Sequence, residues 1–149
     1  MYRILILIIV VLVFTSTILA KANEKYNYKY KNVEINGNVF NLEVADSDLL
    51  QTIGLMYRDN LNENSGMLFI MDKPMKAAFW MKNMNFPIDM VFIKQNKIVT
   101  IIEDIPVCKK ESCPRYRSKD MIDSVIEFNS GTCKKYSISA GQKITIQNQ

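Results

Sequence analysis

Charged, amide and aromatic side chains beside or within apolar segments are where chemistry could occur in this 149-residue chain. Six residues share that setting: Arg58, Trp80, Lys82, Asn83, Asp89 and Glu127. Charged residues embedded in apolar runs are rarely left unpaired, so a structural account pairs one of these basic residues with one of these carboxylates. In that account Asn83 hydrogen-bonds backbone in the turn before Pro87. The residues alone favour this account.

A functional account places the same residues around a cleft. Lys82 and Arg58 would hold an anionic or hydroxyl-rich ligand, and Asn83 would orient it. The ring of Trp80 or of Phe79 would stack on the ligand's apolar face. A binding or accessory module for a polar envelope ligand such as a glycan would need a site of this kind.

Two further hypotheses use these residues differently. A small hydrolase would take Asp89 or Glu127 as general base and use Lys82 or Arg58 to stabilise an oxyanion. It requires a carboxylate with a raised pKa that faces an open pocket. In a purely structural protein the same residues would only specify the fold, and a surface patch would carry the function. Between enzyme and binding protein, the sequence favours the binding protein.

The chain contains no histidine, which excludes His-based triads and the usual zinc, Cu(II) and non-haem iron sites. Six of the nine methionines lie within Gly66–Ile93, and thioethers suit Cu(I). Met81 and Met84 have a plausible ligand spacing. Methionine also fills irregular core gaps beside aromatic rings, and neither histidine nor cysteine accompanies the cluster. We therefore interpret these methionines as core and expect no metal and no cofactor.

The three cysteines predict one local disulfide. Cys108 and Cys113 enclose four residues, and in an exported chain such a pair is expected to be oxidised and to pin its loop. A redox-active pair is the alternative, but such pairs are usually separated by two residues at the start of a helix. Cys133 is interpreted as a buried structural thiol, with a reactive thiol or an intermolecular disulfide as the alternative.

Residues 1–22 have the pattern of a signal peptide. Arg3 precedes an apolar run, and Ala20–Ala22 is an A-x-A cleavage pattern. Even extended to Leu19, the apolar stretch has 16 residues, whereas a membrane-spanning helix needs about 20. We expect cleavage near Ala22 and a periplasmic or secreted protein without a stable membrane span. The alternative is an uncleaved N-terminal anchor.

Cleavage would leave 17 Lys and Arg residues against 15 Asp and Glu residues. This near-neutral chain has scattered bases and lacks the basic stripe typical of proteins that bind nucleic acid, so no nucleic-acid partner is expected. Its length suits one hydrophobic core. The predicted organisation is a flexible or edge-strand lead-in over 23–32 and one domain over 33–149.

Turn signals divide that domain into short elements. Asn36-Gly37 lies between apolar runs and predicts a β-hairpin, and Gln95–Lys97 predicts a second one. Asp46 or Ser47 can begin a helix that ends at Gly54, with Leu49, Leu50 and Ile53 on one face. Further strands are expected at 67–71, 77–81, 124–128 and 144–146, an irregular loop at 106–117 and a helical turn at 118–122. Together these elements predict an α+β domain with a mainly antiparallel, barrel-like or sandwich-like arrangement. It would contain about eight short strands and one or two short helices.

Several segments together resemble the DUF192 family, a domain of unknown function. They are GLMYR at 54–58, GMLF at 66–69, FWMKN at 79–83, PID at 87–89, and the IE pair at 126–127 with Gly131. The resemblance covers about Val33 to Ile146, and Gln142 stands where the family usually has Asp. It implies a compact β-rich α+β domain, often exported, without an established activity. It also gives more weight to the charged and amide candidates as a site, because they fall within the motifs.

Overall fold

A computed structural model of the protein describes residues 26–147. The predicted signal peptide at 1–22 lies outside these residues. Within them there are nine strands, namely β1 Lys29–Ile35, β2 Asn38–Ala45, β3 Ser65–Met75, β4 Ala78–Trp80, β5 Ile88–Lys94, β6 Lys97–Ile105, β7 Arg115–Arg117, β8 Ile122–Asn129 and β9 Ile144–Gln147. The helices are α1 Asp48–Ile53 and α2 Thr132–Lys135. Neither is long and apolar enough to cross a membrane.

Seven strands form one sheet in the order β6-β5-β8-β3-β2-β1-β9, and β4 pairs with β7 in a separate two-stranded sheet. Neighbouring strands are antiparallel except β2 and β3, which are parallel and connected through α1. The large sheet curls into a half-barrel. Its two edge strands, β6 and β9, are bridged near their first residues. The Ile98 N–H donates to the Gln142 carbonyl (2.9 Å), and the Ile144 N–H donates to the Asn96 carbonyl (2.9 Å). The predicted α+β, mainly antiparallel, barrel-like fold is confirmed.

Both faces of the large sheet are buried, because successive side chains of a strand point to opposite sides. One side, here called the α2 face, packs residues such as Phe40, Leu68 and Phe128 around Cys133 of α2. The other, the loop-covered face, lies beneath the segments 55–61 and 77–86. Its buried residues include Met67, Met81, Met84 and Met90, so four of the six methionines are core, as predicted. Met71 is only partly buried, and Met75 is 44% exposed, so the prediction is wrong for Met75.

The local turn and cap predictions are confirmed. Asn36 and Gly37 both have positive φ (50° and 76°), as a tight hairpin turn requires. The Ser47 hydroxyl accepts the Leu50 N–H at the start of α1, and Gly54 with φ 50° ends the helix. Leu49 is the exception, because it is 60% exposed rather than on the packed side. No residue of this six-residue helix is fully buried; Leu50 is partly buried against the core, and Leu49 lies outside that contact.

Two element predictions were wrong. Ile122 begins β8 rather than ending a helical turn, and the second helix lies at 132–135 instead. The strand predicted at 77–81 is present as β4, which pairs with β7 outside the large sheet. That pairing also places a strand inside the predicted irregular loop. Successive side chains of β4 point to opposite sides, so Phe79 packs on the core whereas Trp80 faces outward.

Gly66 is required where β3 lies against β8. A Cβ atom at this position would lie 2.5 Å from the Glu127 carbonyl oxygen and 2.9 Å from the Phe128 ring. Because a backbone oxygen in a central strand cannot move aside, Gly66→Ala is expected to lower the free energy of unfolding by about 1–3 kcal/mol. Urea unfolding would measure this, with Thr145→Ala on the exposed side of β9 as control. Equal effects of the two substitutions would contradict the steric argument.

Candidate functional site

Arg58 is held by a partner that the sequence did not indicate. Its guanidinium makes two parallel hydrogen bonds to the Glu43 carboxylate, of 2.6 and 2.7 Å, and both side chains are largely buried. It also lies 5.2 Å from the centre of the Tyr28 ring. The hydrogen bonds to Glu43 raise the Arg58 pKa. The predicted pairing with Asp89 or Glu127 is therefore wrong, and Arg58 fastens the segment after α1 to β2.

Asp89 is fully buried on the α2 face and accepts backbone hydrogen bonds. Its Oδ1 accepts the Asp104 N–H and its Oδ2 accepts the Cys133 N–H, both at 2.9 Å. The carboxylate thus joins β5 to β6 and to the first turn of α2. Because each oxygen already has a donor and the side chain is inaccessible, Asp89 is not placed to act as a general base on a substrate.

Glu127 is buried on the loop-covered face, directly opposite Met67 of β3 and Met90 of β5. Burial raises its pKa to about 8, because a charged carboxylate between thioethers would lose its hydration. No hydrogen-bond donor to its carboxyl group is found within residues 26–147. The hydrolase hypothesis asked for a raised pKa at an open pocket, and Glu127 lines neither of the clefts described below.

Asn83 connects two loops through a tight local contact. Asn83 and Tyr57 both have positive φ, 59° and 63°. The Tyr57 N–H donates to the Asn83 carbonyl (2.9 Å), and the Asn83 amide donates to the Tyr57 hydroxyl (2.7 Å). The expected side-chain bond to backbone is therefore replaced by a bond to a side chain. Asn83 positions the loop that Lys82 begins.

Trp80 and Lys82 are the two candidates that the structure brings together at the surface. The indole ring is partly exposed, and the Lys82 ammonium lies 5.3 Å from its centre. A second cation, the Arg115 guanidinium, lies 4.7 Å from the same ring. Arg115 was missed at the sequence level. It is the register partner of Trp80 across β4 and β7, and nothing local to either residue indicates that pairing.

The β4–β7 pair is held in place from several sides. Phe79 packs edge-on against Phe69, with ring centres 5.2 Å apart, which turns its neighbour Trp80 outward. Beyond β7, Ser118 exchanges two hydrogen bonds with Ala77, of 3.0 and 3.1 Å. Before β7, Cys108 and Cys113 form the predicted disulfide, with an S–S distance of 2.15 Å. Arg115 is therefore fixed at both ends of its short strand.

Cys133 is buried, as predicted for a structural thiol. Burial raises its pKa, and the neighbouring Asp89 carboxylate raises it further. Because the thiolate is the reactive form, Cys133 is unreactive at neutral pH.

A cleft of about 390 Å³ opens beside Trp80, and we call it the Trp80 cleft. Its lining residues are Asp48, Gln51, Thr52, Phe69, Met71, Met75, Ala77, Ala78, Phe79, Trp80 and Arg115. A neighbouring cleft of about 380 Å³ shares Asp48, Gln51, Met71 and Met75 with it. Apolar side chains thus alternate with a carboxylate, an amide, a hydroxyl and a guanidinium. Of the six sequence candidates, only Trp80 lines the cleft, and Lys82 lies over its ring.

Comparisons with known proteins agree on the fold. The sequence model of the DUF192 family, described as an uncharacterized ACR, matches residues 31–146. A crystal structure from Sinorhizobium meliloti 1021, described as a candidate transcription regulator, is 30% identical with a TM-score of 0.74, covering 82% of this chain and 97% of that one. A protein of unknown function from Novosphingobium aromaticivorans DSM 12444 is 25% identical with a TM-score of 0.75, covering 83% and 89%. No curated protein matches.

Proposed function

Since this chain belongs to the DUF192 family, which is described as uncharacterized, we propose its function from its own site: it is a small binding module whose Trp80 cleft takes the ring of a polar envelope ligand such as a glycan. The observation that carries the proposal is the partly exposed indole of Trp80 at the edge of a cleft with an apolar floor. Ligand sites generally combine apolar walls with a few polar groups that fix orientation.

A saccharide ring fits this combination because it has both an apolar face and a rim of hydroxyl groups. The apolar C–H face would lie against Trp80, with Phe79 and Met71 behind it. The hydroxyl groups would meet the side chains of Asp48 and Thr52 on α1. Two elements of different sheets and one helix would thus contribute to one ligand.

Gln51 would present a fixed acceptor to such a ligand. Its amide nitrogen donates to the carbonyls of Ile70 (2.7 Å) and Ala45 (3.4 Å). These bonds hold the amide in one orientation and leave the Oε1 atom to accept from a hydroxyl group. An acceptor held by backbone bonds loses little freedom on binding, which favours a specific ligand.

The proposed location is the periplasm or the cell exterior, where envelope glycans are found. The Cys108–Cys113 disulfide supports this, because disulfides form and persist mainly in oxidising compartments. The signal-peptide pattern at 1–22 supports it from the sequence. Together they make an envelope component the ligand class of choice.

Thermal unfolding of the full chain with a panel of envelope saccharides tests the binding function. A bound saccharide is expected to raise Tm of the wild type, because it binds only the folded state. Trp80→Leu is expected to weaken binding about tenfold through loss of the stacking surface. Tyr30→Leu removes another exposed ring, on β1 outside the cleft, and should leave binding unchanged. Equal binding by both variants would argue against the Trp80 cleft.

A further inference from the structure

We propose that the β4–β7 ribbon is an oxyanion site in which Lys82 and Arg115 together bind a carboxylate or phosphate group of the ligand beside Trp80. The inference rests on the binding function proposed above and adds the charge of the ligand. The name cationic ribbon is used here for Trp80, Lys82, Arg115 and Arg117. Two of its four members, Arg115 and Arg117, were not apparent from the sequence, and neither was the geometry that all four share.

The strand register places these side chains on one face. Trp80 is directly opposite Arg115, and Ala78 is directly opposite Arg117. Residues opposite each other in an antiparallel pair lie on the same face, whereas Phe79 and its partner Tyr116 lie on the other face. Those two rings pack against the core of the loop-covered face. Both arginines consequently lie on the solvent side of the ribbon, and Arg115 is next to the indole.

Two positive charges share one aromatic ring. Because Lys82 and Arg115 lie 5.3 and 4.7 Å from the ring centre, their charges are separated by no more than the sum of these distances. Each is attracted to the ring, but the two repel each other because they lie within one Debye length, about 10 Å. A single oxyanion between them would remove that repulsion.

Nothing in the described chain neutralises these cations. The ion pairs within residues 26–147 are Lys29–Asp46, Arg58–Glu43 and Lys135–Glu63. None of them includes a member of the cationic ribbon. Asp48, the carboxylate that lines the Trp80 cleft, belongs to α1 and makes no ion pair with Arg115. The unneutralised charge is therefore concentrated at the ribbon side of the cleft.

The ribbon is also rigid enough to act as a site. Cys113 of the disulfide is separated from Arg115 by Pro114 alone, and Ser118 is bonded to Ala77 just after the strand. Fixing the backbone of a cation lowers the entropy lost when an anion binds. Arginine can bind a carboxylate or phosphate through two parallel hydrogen bonds, whereas lysine contributes a point charge.

The ligand class that follows is an oxyanion attached to a polyhydroxyl group. An acidic or phosphorylated saccharide has this chemistry, and so does the headgroup of an anionic glycerolipid. The saccharide would place its ring in the Trp80 cleft and its oxyanion on the ribbon. The lipid headgroup would use the ribbon with the membrane surface beside it.

Fluorescence titration of the full chain separates these cases, because Trp80 is the single tryptophan and lies in the site. The probes are glucuronate and glucose as a matched pair, inorganic phosphate, and vesicles of phosphatidylglycerol or of phosphatidylcholine. The variants are Arg115→Gln and Lys82→Gln, with Lys94→Gln as an exposed lysine outside the ribbon. Each ribbon variant is expected to weaken binding of the anionic probes about tenfold, as for a charge-assisted hydrogen bond.

Several outcomes support the site and others overturn it. The oxyanion site is supported if glucuronate binds more tightly than glucose and this difference in affinity falls as salt rises. The difference should be lost in Arg115→Gln but kept in Lys94→Gln. Binding to phosphatidylglycerol vesicles alone supports the site and assigns the oxyanion to a lipid headgroup.

Equal binding of glucuronate and glucose overturns the oxyanion site while leaving the saccharide function intact. Binding of phosphate without binding of either saccharide supports the oxyanion site and overturns the saccharide function.

Discussion

Replacing Asp89 by alanine is expected to lower the free energy of unfolding by about 3–5 kcal/mol. Asp89 is fully buried, and its two oxygens accept the N–H groups of Asp104 and Cys133. Alanine would leave both buried donors without an acceptor, at a cost of about 1–3 kcal/mol each, and would add a cavity. Because β6 and α2 both depend on this carboxylate, the loss should extend beyond the strand that carries it.

Urea unfolding of the full chain would measure the change, with two comparisons. Asp72→Ala removes an exposed carboxylate and should change stability by less than about 0.5 kcal/mol. Asp89→Asn keeps one accepting oxygen but directs an NH₂ group at the other N–H, so its loss should fall between those of Asp72→Ala and Asp89→Ala. Similar stabilities for Asp89→Ala and Asp72→Ala would contradict the anchoring role.

This anchoring role alters how the six candidate residues of the sequence are interpreted. Arg58 holds β2 through Glu43, Asn83 holds the loop of Tyr57, and Asp89 holds α2. Each of these side chains is already satisfied by a partner within the fold. The structural account of the sequence named the wrong partners for these three side chains, although each does have a partner within the fold. Of the six candidates, Trp80 and Lys82 are the ones that lie at the proposed ligand site.

The elements that could be predicted from the sequence are those whose signals are local. Asn36-Gly37 specifies a tight turn because Asn and Gly tolerate positive φ, and Gln95-Asn96 adopts positive φ at both positions as well. Ser47 and Gly54 specify the two ends of α1 through bonds to residues within the helix. A disulfide over four residues is local in the same sense. None of these features depends on the order of strands in the sheet.

The partners in the site depend on that order, which the sequence does not display. Glu43 has the alternation of a solvent-facing residue in β2, yet it lies under the segment that carries Arg58, because both faces of the sheet are covered. Trp80 and Arg115 meet only because two three-residue strands pair outside the large sheet. For Asp89, the donors are main-chain N–H groups, which no residue type reveals.

Glu127 is expected to make stability fall as pH rises, and Glu127→Gln is expected to remove that dependence. Burial raises the pKa of Glu127 from the ordinary 4.5 to about 8, so the folded state binds this proton more tightly than the unfolded state does. Its contribution is fully present below about pH 4.5. The free energy of unfolding falls by on the order of 5 kcal/mol in total as pH rises towards 8, and above that it no longer changes with the charge of Glu127.

The glutamine variant isolates this effect because it keeps the shape of the protonated side chain between Met67 and Met90 without a titrating group. Urea unfolding at intervals from pH 5 to pH 9 should show the variant gaining on the wild type by about 1.4 kcal/mol per pH unit up to about pH 8. Glu103→Gln, at an exposed position of β6, should follow the wild type throughout. Parallel curves for Glu127→Gln and the wild type between pH 5 and pH 8 would show that Glu127 is ionised in the folded state. In that case a cation within reach of Met67 and Met90, rather than a proton, would have to balance its charge.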